Sequence, residues 1–77
     1  MRITPAQSRA ARALLDWSQQ TLARTSNLGL STIRDFEKGR RIPTVNNLAA
    51  MQHALERAGV EFIAENGGGS GVRFRRS

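Results

Sequence analysis

The sequence predicts a mainly α fold: a bundle of four to five elements, two of them short helices meeting at a tight turn, followed by a C-terminal pair of β-strands. Three observations carry this. Helix-start signals recur at Thr4-Pro5, at Ser18 and at Thr44, and apolar residues three and four apart mark the later helices, Ile33 with Phe36 and Leu48 with Met51, Leu55 and Ala58. Asn27 sits in a short connection between two such segments, and Asn is the non-glycine residue that best tolerates a left-handed backbone. After Gly59 the period changes: Val60-Glu61-Phe62 and Val72-Arg73-Phe74-Arg75 alternate apolar and charged residues.

The first helix opens at Thr4-Pro5-Ala6-Gln7. Thr can cap, Pro fits the first helical position, and Gln three residues after the cap can close a capping box. The helix is Ala-rich and runs to about Asp16, with Ala13, Leu15 and Trp17 expected inside and Leu14 partly so. Ser18 caps a second helix from Gln19 to about Ser26, whose apolar side is Leu22 and Ala23. Gly29 precedes a third, about 30–38, with Ile33 and Phe36 on its apolar face; Gly39 is placed to end it in a left-handed cap. Pro43 biases Ile42 away from helix, so Arg40-Arg41-Ile42-Pro43 is extended. Thr44 caps a fourth helix, about Val45 to Ala58, with Leu48, Met51, Leu55 and Ala58 on one face and Gly59 at its end.

The two alternating runs, Val60–Ile63 and Val72–Arg75, are joined by the Gly-rich stretch Ala64–Gly71 and read as a hairpin. A lone hairpin is marginal in water. It must pack Val60, Phe62, Val72 and Phe74 on the helices or join strands of a second chain; the alternative is a basic tail after Gly67.

Size and charge narrow the function. A chain of 77 residues has a modest core, and without cysteine it has neither disulfides nor a thiolate metal site. The lone His53 cannot form a metal site by itself, so no metal or cofactor is expected. No apolar run approaches a membrane span and no signal-peptide core is visible, so a cytoplasmic protein is expected. Asp16, Asp35 and Glu37 have no evident general-base partner, and Gly67-Gly68-Gly69-Ser70-Gly71 lacks the Lys of a phosphate-binding loop; the expectation is no enzyme. The net charge of +6 favours a polyanionic partner. It is unevenly spread: residues 1–43 hold eight basic and three acidic side chains, residues 44–71 one and three, residues 72–77 three and none. Two short helices at a sharp angle can push the second into a groove of duplex DNA.

An ordered set of residues then carries a resemblance: Ser18-Gln19-Gln20-x-Leu22-Ala23, Thr32-Ile33-x-x-Phe36-Glu37-x-Gly39, and Ile42-Pro43-Thr44 leading to Leu48. From about Ser8 to Gly59 the chain resembles the helix-turn-helix domains of phage and bacterial repressors, the lambda-repressor-like or Xre/Cro-type family, and its C-terminal hairpin that of a subgroup of small bacterial regulators. The resemblance implies a DNA-binding domain over residues 1–59, with residues 60–77 as a hairpin for dimerisation or a tail. Gln19 matches a phosphate-contacting residue. Leu30, Ser31, Arg34 and Asp35 match the face that meets base edges, with Gly29 at its start. Lys38, Arg40 and Arg41 fall in the loop beside the phosphate backbone, and Arg12 and Glu37 match a partly buried ion pair.

The chemistry is compatible: Arg pairs bidentately with guanine, Ser bonds in either sense, and Asp accepts from cytosine. Asp35 could equally restrain Arg34 or repel phosphate. Leu30 could touch a thymine methyl or fold back onto Leu28 to shield the turn. Three positions depart from the family pattern: Asn27 stands where Gly is usual, Gly29 where Ser or Thr caps, and Leu30 where a polar residue is common. The family also usually has a fifth helix where this chain has strand-like sequence. The implied function is a transcriptional regulator, a repressor binding double-stranded DNA as a homodimer, with Val60, Phe62, Val72 and Phe74 as the interface. The alternative is an antitoxin or protein-interaction module, with a toxin or other protein partner, whose DNA binding is autoregulatory.

Overall fold

A computed structural model describes residues 2–76. Four helices come first: α1 Pro5–Leu15, α2 Gln19–Ser26, α3 Leu30–Glu37 and α4 Val45–Arg57. Two antiparallel strands complete the fold, β1 Val60–Ile63 and β2 Gly71–Phe74. Each expected element is present within a residue or two of its expected ends.

The helix ends are set by local chemistry. Thr4 and Gln7 close a reciprocal capping box, with the Gln7 amide donating to Thr4 Oγ1 at 3.1 Å and the Thr4 amide to Gln7 Oε1 at 2.9 Å. Ser18 caps α2 through the Thr21 amide, and Thr44 caps α4 through the Asn47 amide. Gly29 leaves α3 without a side-chain cap. The first three helices end alike. Each runs into a left-handed residue: Asp16 (φ 57°), Asn27 (φ 59°) and Gly39 (φ 75°). The next amide then reaches back across the last turn, Trp17 to the Arg12 carbonyl, Leu28 to Ala23 and Arg40 to Asp35.

Leu22, Ala23, Ile33, Phe36, Leu48, Met51 and Leu55 are buried as their spacing requires, joined by Ile3, Ala11, Ala54 and Val60. Leu15 and Trp17 pack against this core from its edge. Two faces are corrected. On α1, Ala13 and Leu14 are exposed, and the buried residues are Gln7, Ser8 and Ala11. On α4, Ala58 is half-buried and Ala54 fills the core position. The α1 correction has a chemical reason: Gln7 and Ser8 have polar partners waiting on other elements.

The hairpin is anchored on its own chain. Register pairs Val60 with Phe74 and Phe62 with Val72, so β2 begins one residue earlier than expected, and the Arg75 amide extends the ladder to the Gly59 carbonyl at 2.8 Å. Val60 is fully buried and Phe62 and Val72 pack against the core. Burying one Val contributes about 1.5–3 kcal/mol, which offsets the marginal stability of an isolated hairpin. Gln7 adds a polar clamp: its Nε2 donates to the carbonyls of Ile63 at 3.2 Å and Gly71 at 3.0 Å. The Glu65 carboxylate accepts from the amides of Gly67 and Gly69, which shapes the connecting loop. Val60 therefore has no surface left for a partner, and Phe74 is the large hydrophobic of the strands that stays exposed, at 55 %. The expected boundary at residue 59 is a change of secondary structure within one shared core.

Candidate nucleic-acid interface

Glu37 fixes how α3 sits on the bundle. It closes the last turn of α3 and is 3 % exposed. Arg12 of α1 grips its carboxylate with Nε at 2.9 Å and Nη2 at 2.7 Å. Ser8 Oγ donates to it at 2.6 Å and Gln19 Nε2, from the first residue of α2, at 3.1 Å. Arg9 donates to the Glu37 carbonyl, and Arg12 Nη1 to the Trp17 carbonyl at 3.1 Å. One carboxylate thus ties three helices together. Burial alone would raise its pKa; the hydrogen bonds from Arg12, Ser8 and Gln19 and the Arg12 charge outweigh that and hold it below the ordinary value. Among the described residues no buried side-chain polar atom lacks a partner.

With Ile33, Phe36 and Glu37 turned inward, α3 shows its other side to solvent. Ser31, Arg34 and Lys38 are exposed and stand three and four residues apart, so they form one outward stripe. The left-handed turn at Gly39 then directs Arg40 and Arg41, both exposed, away from the end of the helix. No acidic residue occurs from Lys38 to Leu55. Among the described residues the only ion pairs are Arg12–Glu37 and Arg73–Glu61, so Asp35 does not restrain Arg34. Asp35 is half-buried beside the stripe.

Gln19 is half-buried with one amide N–H already committed to Glu37; the rest of its amide lies at the start of α2. Gly29 is exposed with φ −70°, and a Cβ there would meet only the Ser31 and Thr32 hydroxyls at 3.9 Å, so neither backbone nor neighbours demand glycine. Leu28 and Leu30 are both half-buried and both pack against the core. Phe62 and Val72 pack likewise on their own helices.

Sequence reasoning missed Ser8 and Arg9 in the Glu37 network and the reach of Gln7 to the hairpin. A signal existed in part. Ser8, Arg12 and Leu15 share a helix face with Ala11, and an apolar face broken by an Arg calls for a buried acid opposite it. Among the described residues no cluster of His, Cys, Asp and Glu could hold a metal, and no helix is long and apolar enough to cross a membrane.

The helix-turn-helix family model matches residues 9–62, well over half of the chain. No match is found among the curated proteins. The match begins within α1, spans the turn and α3, and ends inside β1. The chain belongs to the Xre/lambda-repressor-like helix-turn-helix family, a family of DNA-binding regulators and not of enzymes.

Proposed function

We propose that this helix-turn-helix protein is a cytoplasmic repressor that binds an inverted repeat as a homodimer, with α3 in the major groove. The single observation that supports it best is the division of α3 into two faces. One face is locked through Glu37 to α1 and α2, and the other presents Ser31, Arg34 and Lys38, with no acid from there to Leu55. A reading helix needs this combination, because base contacts require side chains held in register by elements that do not move.

In this reading Arg34 and Ser31 meet base edges and Asp35 accepts from a neighbouring base, while Leu30 offers only its open flank. Lys38, Arg40 and Arg41 neutralise phosphates, and Gln19 and the Gly29 amide approach the backbone at helix N-termini, where unpaired N–H groups favour anions. One module of this size covers few base pairs, and a two-fold dimer doubles the site. Phe74 and the adjoining hairpin surface supply the contact between copies. Selection of duplexes from a random pool tests the base reading. The wild type is expected to enrich a two-fold symmetric site and Arg34→Ala to lose the preference at one base pair per half-site. Sedimentation tests the dimer: Phe74→Ser should shift the protein to monomer with its fold intact, and an unchanged dimer would remove the hairpin from the interface.

A further inference from the structure

A second surface lies at the far end of α3. Between the N-terminal segment, the turn after α3 and the start of α4 runs a groove of about 350 Å³. Its floor is the outer edge of the core, Ile3, Phe36 and Leu48, and Ile42 forms a wall. Arg2 and Arg41 stand on its rim. A smaller hollow of about 90 Å³ continues it past Arg2 along α4, beside Val45. Scattered exposed apolar residues are ordinary. Here Ile42 (76 % exposed) lines the groove and Val45 (67 %) the smaller hollow, and they are two of the four large hydrophobics left exposed among the described residues.

We propose that this groove binds a small amphipathic organic anion, an apolar body ending in one carboxylate, and that this ligand acts as an effector of DNA binding. Charge decides the class. Both rim cations lack a carboxylate partner among the described residues, and no acid lines either hollow. An apolar floor under two guanidinium groups suits a ligand that is apolar below and anionic at its head. Size decides the scale: the volume is at the lower end of small-molecule sites and holds on the order of ten to fifteen non-hydrogen atoms.

The regulatory consequence rests on the reading of Arg41 as a phosphate contact. A carboxylate bound to this guanidinium takes up charge and donors that it would otherwise offer to a DNA phosphate. Ligand and DNA then compete, and each weakens the other by the same factor.

The test uses the full chain, isotopically labelled, titrated with sodium decanoate below its micelle concentration. Saturable amide shifts are expected at Ile3, Gly39, Ile42 and Leu48. Decanol, equally apolar but uncharged, should bind about tenfold more weakly, the loss of roughly one charge-assisted contact. Arg2→Gln and Ile42→Ser lie outside the DNA-contacting set and should each weaken decanoate several-fold while leaving duplex binding unchanged. Decanoate should raise the Kd for duplex DNA in the wild type. Shifts that do not saturate, equal binding of decanol, or no effect of either variant would overturn the proposal. So would dissociation of a dimer by Ile42→Ser, which would mean that a second copy fills the groove. A wild type that binds decanoate as expected but no duplex at all would overturn the repressor reading and the effector role, while the anion site itself would stand.

Discussion

Arg12 and Glu37 are joined by two hydrogen bonds, at 2.9 and 2.7 Å, between the middle of the first helix and the last turn of the third. The Arg12 side chain is 17 % exposed and that of Glu37 2 %. The pair is therefore removed from water on one side and nearly so on the other. Burial of this kind does not by itself add net stability, because desolvating two charges costs as much as their attraction returns. It does mean that neither partner can be lost alone without leaving the other stranded.

Arg12→Met and Glu37→Met are each expected to destabilise the fold by about 3–5 kcal/mol, and the double variant by clearly less than the sum. Chemical denaturation of the four proteins measures the coupling. Strict additivity would show that the two charges are independently solvated.

The same carboxylate sets an acid limb. Its folded-state pKa lies below the ordinary value of 4.5. A depressed carboxylate contributes stability that is complete above the unfolded pKa and lost as pH falls through the folded one. Stability should thus decline below about pH 4.5, and Glu37→Gln should flatten that decline while lowering stability at neutral pH. Thermal melts from neutral to strongly acidic pH check the sign; an equally steep limb in the variant assigns it to other groups.

Gln7 links the first helix to the hairpin through the carbonyls of Ile63 and Gly71 while also closing the capping box. Gln7→Ala should cost about 1–3 kcal/mol, from one lost cap bond and two carbonyls left without their donor. Amide exchange should quicken in β1 and β2 more than in α2 or α3. Uniform quickening would mean that the clamp has no special hold on the strands.

Arg40 and Arg41 leave the third helix through the turn at Gly39 and are exposed. Replacing both with Gln should reduce the slope of log affinity against log salt by about two units and weaken specific and random duplexes alike. An unchanged salt dependence places the loop away from DNA.

The helix ends were legible in the sequence because their causes are local. Thr4, Ser18 and Thr44 cap through amides three residues on, and Asn27 and Gly39 take the left-handed turns that their residue types allow. The burial of the first helix was not legible. Apolar counting placed Ala13 inside, whereas Gln7 and Ser8 are buried, bonded to partners 64 and 29 residues away. Periodicity sees a polar residue and assigns it to water; only the fold shows the carbonyl or carboxylate that replaces water. Arg12 with Glu37 was legible through the family resemblance, while the part of Gln19 in holding Glu37 came from the structure. At Leu30 the sequence left two orientations open, and in the structure the side chain packs against the core.

Recognition through the outer face of the third helix is the central claim, and the most direct measurement is a gel shift with the DNA upstream of the protein's own gene, set against a random duplex. The wild type should retard the upstream fragment at concentrations that leave the random duplex free, with affinity falling steeply as salt rises. Arg34→Ala should narrow the difference between the two DNAs and keep the salt-sensitive binding to both. Failure of the folded wild type to bind any duplex at low salt would contradict the account.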